Sequence, residues 1–117
     1  MKANYKEPAI YRWSVFKESF EECNTIYIGE STNLIRRING YLNPGISQQT
    51  NIRMNALFTE YIDNRFSIYI ELMRIESLII NKKSYSQGDL NNKYVRRLIE
   101  NFLIVDHLSN NYTILNS

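Results

Sequence analysis

Aromatic and β-branched residues crowd the stretch Ala9-Ile10-Tyr11-Arg12-Trp13-Ser14-Val15-Phe16, and such a run predicts a strand. A polar, acidic connection over 17–24 leads to Thr25-Ile26-Tyr27-Ile28-Gly29, a second strand. Two such runs joined by a short polar segment favour an antiparallel hairpin. The period then changes. Leu34, Ile38, Tyr41 and Leu42 recur at helical spacing behind Ser31 or Thr32 as the cap, and Asn43-Pro44-Gly45 closes that helix. A second helix is predicted over 52–63, with Met54, Leu57, Phe58, Tyr61 and Ile62 on one stripe. Over 66–73, Phe66, Ile68, Ile70 and Leu72 alternate with Ser67, Tyr69, Glu71 and Met73, which predicts a third strand with one well-buried face. The stretch 75–92 favours no single state, and 81–89 reads as a mobile basic loop. A last helix over 92–108 turns Val95, Leu98, Ile99, Phe102 and Leu103 inward, and 110–117 forms a short extended piece. The order β-β-α-α-β-α predicts an α+β fold, a small antiparallel three-stranded sheet flanked by helices.

No repeat, low-complexity tract or linker divides the 117 residues, so one domain over 1–117 is expected. Hydrophobic residues at 44% and charged residues at 22% argue against disorder by composition. Lysine and arginine exceed aspartate and glutamate by 14 to 12, a net charge of +2 that is compatible with a nucleic-acid partner without requiring one. A lone cysteine, Cys23, excludes an intrachain disulfide and a thiolate cluster, and a lone histidine, His107, excludes a multi-histidine zinc site. Cys23 reads as an inert loop thiol, and His107 as a surface residue near a helix C-terminus, where a cation is favoured. Apolar runs are as short as Leu78-Ile79-Ile80, so no membrane span is expected, and the first six residues lack the apolar stretch of a signal peptide. A reducing, cytoplasmic location follows.

The chemistry concentrates between Tyr27 and Tyr41. There a strand end and a glycine that permits close backbone turning run into a helix carrying Asn33, Arg37 and Tyr41 at i, i+4 and i+8. A guanidinium one turn from a phenol, with a strand-end tyrosine nearby, makes a cradle for a phosphodiester, because the planar fork of arginine matches phosphate oxygens and keeps its charge.

On these residues the chain resembles the GIY-YIG endonucleases. Tyr27-Ile28-Gly29 is the second triplet intact, and Ala9-Ile10-Tyr11 matches the first with alanine in place of glycine. Arg37 follows Tyr27 by ten positions and Tyr41 by four more, as in that family, and Asn33-Leu34 is similar to its helix start. Leu98-Ile99-Glu100-Asn101-Phe102-Leu103-Ile104 is similar to the segment that carries the family's metal-binding glutamate, which nominates Glu100; Ile114-Leu115-Asn116 loosely matches its final asparagine. Two departures stand out. Ala9 matters only if its backbone needs a positive φ. Glu30 occupies a place where some relatives carry lysine, and a carboxylate there raises a neighbouring phenol's pKa.

The resemblance implies hydrolysis of DNA phosphodiesters with one divalent cation, Mg²⁺ or Mn²⁺, held by Glu100. It further implies that Tyr11 or Tyr27 orients or deprotonates water and that Arg37 stabilises the phosphate. Tyr41 would contact phosphate or position the nucleophile, and Asn116 would hold the site together. Which tyrosine takes the proton stays open. Arg36, Arg53, Lys82, Lys83, Lys93, Arg96 and Arg97 are candidate contacts to double-stranded or branched DNA. Target choice would come from loops, DNA shape, a homodimer or a separate subunit, since no appended domain is present. Bland roles compete for the same residues: strand tyrosines, a solvated Arg36-Arg37 face, and a Glu100–Arg96 pair at i, i+4. Glu71 and Glu76 are spare carboxylates. The alternative functions are a catalytically weak or inactive nucleic-acid-binding module of the same fold, or a small interaction protein.

Overall fold

The computed structural model describes residues 7–75 and 77–116; Glu76 lies outside the described residues. The first strand, β1 (Ala9–Phe16), is flanked on both sides, antiparallel to β2 (Thr25–Ser31) and to β3 (Ser67–Met73). A central strand covered on both faces explains why its sequence runs almost continuously apolar. Helix α1 (Leu34–Leu42) and helix α2 (Gln49–Asp63) follow β2, and α3 (Lys93–Ser109) follows the remaining strands. The described residues form an α+β domain with a mixed sheet and three α-helices.

The sheet differs from the three antiparallel strands predicted. A two-residue strand, β6 (Thr113–Ile114), adds parallel to β2, and the order is β3-β1-β2-β6. A pair that short carries no period for a sequence to display. The supposed mobile loop is also ordered. Leu78–Ile80 (β4) and Lys83–Tyr85 (β5) form a hairpin across Asn81 and Lys82, whose φ angles of 53° and 67° are those of a type I′ turn. A 3-10 turn over Gln87–Asn91 then leads into α3.

Two cores lie on the two faces of the sheet. Tyr11, Trp13 and Tyr27 meet Leu34, Tyr41, Met54 and Phe58 under α1 and α2; Ile10, Ile26 and Ile28 meet Ile99, Leu90 and Ile75 under α3. Strand β3 sits at the edge, with Ile70 exposed, so it lacks the well-buried face predicted. Ile62 on α2 is exposed as well. Helix α3 is rotated from its expected setting. Leu98 and Phe102 are exposed, while Arg96, Ile99 and His107 are buried. The two polar members of that inner face are paired. Arg96 donates to Glu30, and His107 Nε2 lies 3.1 Å from an Arg12 nitrogen that belongs to the Arg12–Glu71–Ser14 cluster. His107 is therefore an interior residue, because its ring bonds both Arg12 and the Leu103 carbonyl. Cys23 is half-buried, its thiol facing the Val15 and Thr25 carbonyls.

Candidate functional site

Local structure aims each group. On β1 and β2, Tyr11 and Tyr27 point to the α1–α2 face, and Tyr11 stands directly across from Gly29. A Cβ at Gly29 would lie 2.3 Å from Tyr11 Cζ and the phenol oxygen, so glycine is required because the ring crosses this position. The close approach is by a side chain, not by a turn. Ala9, by contrast, sits in ordinary extended backbone opposite Ser31, and alanine costs nothing there. Helix α1 begins with Asn33 as the cap, its side chain accepting from Arg36 N, while Ser31 Oγ accepts from Asn33 N; the cap falls beyond the Ser31 or Thr32 expected. From this start Arg37 and Tyr41 project toward the sheet. Asn55 Nδ2 donates to the Tyr41 carbonyl at 2.8 Å and ties the end of α1 to α2.

The three phenols form a chain. Tyr11 and Tyr41 oxygens are 2.7 Å apart, and Tyr41 donates to Tyr27 at 3.3 Å. Arg37 lies over the Tyr41 ring, its guanidinium carbon 5.8 Å from the centroid. Burial pushes the Tyr11 phenol up to about 12, against the opposing Tyr41 hydrogen bond. Burial first, then Tyr41, raises Tyr27; burial first, then Tyr11, raises Tyr41. All three are neutral phenols at neutral pH. Burial works against the charge of Arg37, but the facing Tyr11 and Tyr41 oxygens outweigh it and the net shift is upward.

Glu100, half-buried on α3, lies within electrostatic reach of this group. Its carboxylate acts on Tyr27, and Arg37 acts on it in turn. Burial, then the neighbouring Glu30, hold it above the usual carboxylate range, with Arg37 and Arg97 opposing. Along the outer edge of β2, backbone groups of Ile26 and Ile28 point away from β1. Leu115 N donates to Ile26 O at 2.8 Å, and the Asn116 amide takes both Ile28 groups, at 3.0 and 2.6 Å. Asn116 thus imitates a strand residue. The Glu100–Arg96 pair that helical spacing allows does not form, because Arg96 turns to Glu30.

In front of Arg37 opens a cleft of about 300 Å³ whose walls include Glu30, Asn33, Arg36, Asn51 and Arg96. Arg37 Nε is buried and finds no hydrogen-bond partner among the described residues. Arg36 is exposed at the mouth, and Arg97 is exposed on the Glu100 side. Lys82 and Lys83 stand exposed on the hairpin, and Lys93 is exposed at the start of α3. Arg53 is half-buried, with Nη1 3.4 Å from the Leu115 carbonyl. Arg96 is only 5% exposed, its guanidinium engaged by Glu30 and the Leu90 carbonyl at the cleft wall. Sequence reasoning missed Asn51 and Asn55. A lone asparagine in a helix gives no signal, although Asn33 three residues before Arg36 is a readable cap.

Among the described residues, no group of three or more His, Cys, Asp or Glu side chains converges. A hard cation such as Mg²⁺ is nevertheless suited to one carboxylate completed by water and substrate oxygens, and the partly desolvated Glu100 is an oxygen donor of that kind. Comparison of the chain with protein-family models, curated proteins and solved structures found no match.

Proposed function

We propose that the chain is a metal-dependent endonuclease of the GIY-YIG type, hydrolysing DNA phosphodiester bonds. What supports the reading is one convergence from four elements: Tyr11 of β1, Tyr27 of β2 and Tyr41 of α1 share a hydrogen-bonded chain beside Arg37 of α1, and Glu100 of α3 lies within electrostatic reach of Tyr27 and Arg37. Ordinary strand tyrosines need no half-buried guanidinium and carboxylate near them.

When bound at Glu100, a Mg²⁺ or Mn²⁺ ion supplies electrostatic stabilisation of the charge developing on phosphate and leaving oxygen. Arg37 presents its fork to a phosphate oxygen in the cleft and stabilises the same charge from the other side. Tyr27, at the Glu100 end of the hydroxyl chain, orients the attacking water. Tyr41 donates to Tyr27 and fixes its oxygen, so Tyr27 keeps its own proton to place. Because burial holds these phenols protonated, they act as hydrogen-bond donors and relays rather than as free phenolates. Asn116 holds the β2 edge at Ile28, beside Tyr27. Arg36, Arg97, Lys82, Lys83 and Lys93 contact the DNA backbone, double-stranded or branched, and a second copy or a separate subunit supplies target choice.

The test is cleavage of plasmid and branched DNA with Mg²⁺ or with chelator, by the parent chain and by Glu100→Ala and Arg37→Ala. The expected outcome is metal-dependent cleavage that falls by roughly 10² or more in each variant. A parent that binds DNA but never cuts, with Glu100→Ala binding equally well, overturns the nuclease and favours the binding module.

A further inference from the structure

Arg96 is the most deeply buried charged side chain among the described residues, and its contacts span two elements. Its Nε donates to Glu30 Oε2 at 2.7 Å on β2, while Nη1 donates to the carbonyls of Leu90 and Asn91, at 2.9 and 3.4 Å, in the turn that feeds α3. Glu30 follows Gly29 on the strand that bears Tyr27, and Arg96 lies one helical turn before Glu100. The link therefore joins the two elements whose relative placement decides whether Glu100 meets Tyr27.

We propose that Arg96 and Glu30 form a positioning strut that sets Glu100 against the phenol chain. The proposal rests on the nuclease reading of Glu100 and Tyr27. The strut also neutralises Glu30 at the cleft wall, where an uncompensated carboxylate would repel an incoming phosphate. Only a guanidinium suits the place. A lysine ammonium carries its three donors on one nitrogen, whereas Glu30 meets Nε and the carbonyls meet Nη1, so it cannot hold both sides of the link as the guanidinium does.

The experiment compares Arg96→Lys and Glu30→Gln with the parent, well below the melting temperature of each. Glu30→Gln keeps an acceptor for Arg96 and guards against a variant that fails to fold. Four quantities are read: kcat, KM for DNA, DNA Kd by anisotropy in chelator, and Mn²⁺ affinity by calorimetry. In Arg96→Lys kcat is expected to fall by about tenfold or more and Mn²⁺ to bind more weakly, with KM and DNA Kd nearly unchanged, as for a displaced catalytic group. Glu30→Gln, which keeps a weaker link but frees the Arg96 charge, is expected to lose kcat less and to bind DNA as tightly or more so. A weaker DNA Kd with a shallower salt dependence and kcat retained makes Arg96 a phosphate contact and overturns the strut. A lower melting temperature with kcat and Mn²⁺ affinity intact makes the pair merely stabilising, which also overturns it. A parent chain that neither cleaves DNA nor binds Mn²⁺ removes the reading of Glu100 itself.

Discussion

At the scale of single residues, Gly29 and Tyr11 show how a short motif encodes geometry. A Cβ at Gly29 meets the Tyr11 ring and oxygen at 2.3 Å, so Gly29→Ala must push the ring off its place beside Tyr41. Denaturant unfolding is expected to show a loss of about 1–3 kcal/mol for this overpacked site, and DNA cleavage should fall with it. The phenols make a second prediction. Tyr11 ionises near 12 when folded and near 10 when unfolded, so between those values the folded state holds more protons. Stability therefore decreases as pH rises through that window, and Tyr27 and Tyr41, raised for the same reason, add to the fall. Thermal melts between pH 9 and about 11.5 are expected to drop less steeply in Tyr11→Phe than in the parent chain. The residues of this cluster were legible because each carries distinctive chemistry at a fixed spacing. The Arg96–Glu30 pair was not, since a buried arginine and a solvated one look alike in a sequence.

At the scale of elements, legibility followed the environment each element meets. Strand β1 was readable over its full length because it is sandwiched between two cores and needs apolar residues on both sides. Helix α3 was readable as a helix but not in its rotation. Its inner face contains Arg96 and His107, which periodicity assigns outward, and their internal partners reverse that assignment. The β4–β5 hairpin escaped notice because its turn is Asn81-Lys82, without the glycine that marks such turns. Lys82 holds φ at 67°, in the left-handed region that disfavours a residue with a Cβ. Lys82→Gly is accordingly expected to raise stability by about 1 kcal/mol in urea titrations.

At the scale of the whole molecule, a net charge of +2 permits only a modest nonspecific grip on DNA. Cations are nevertheless exposed on the hairpin and on α1 and α3. If Lys82 and Lys83 each neutralise one phosphate, replacing both with serine lowers the slope of log K against log salt by about 2 and weakens binding uniformly across sequences. Anisotropy titrations in chelator at several salt concentrations check this. The mixed sheet was out of reach of pattern reasoning, since β6 is two residues long and the neighbouring Asn116 completes the edge by a side chain rather than by backbone. Trp13, the only tryptophan, lies flat on Phe58 with ring centroids 4.4 Å apart and edge-on to Tyr41 at 5.5 Å. The protein thus carries its own fluorophore beside the phenols. Its emission should be blue-shifted and shielded from quenchers, and a change in that emission on adding DNA would report occupancy without any label or turnover.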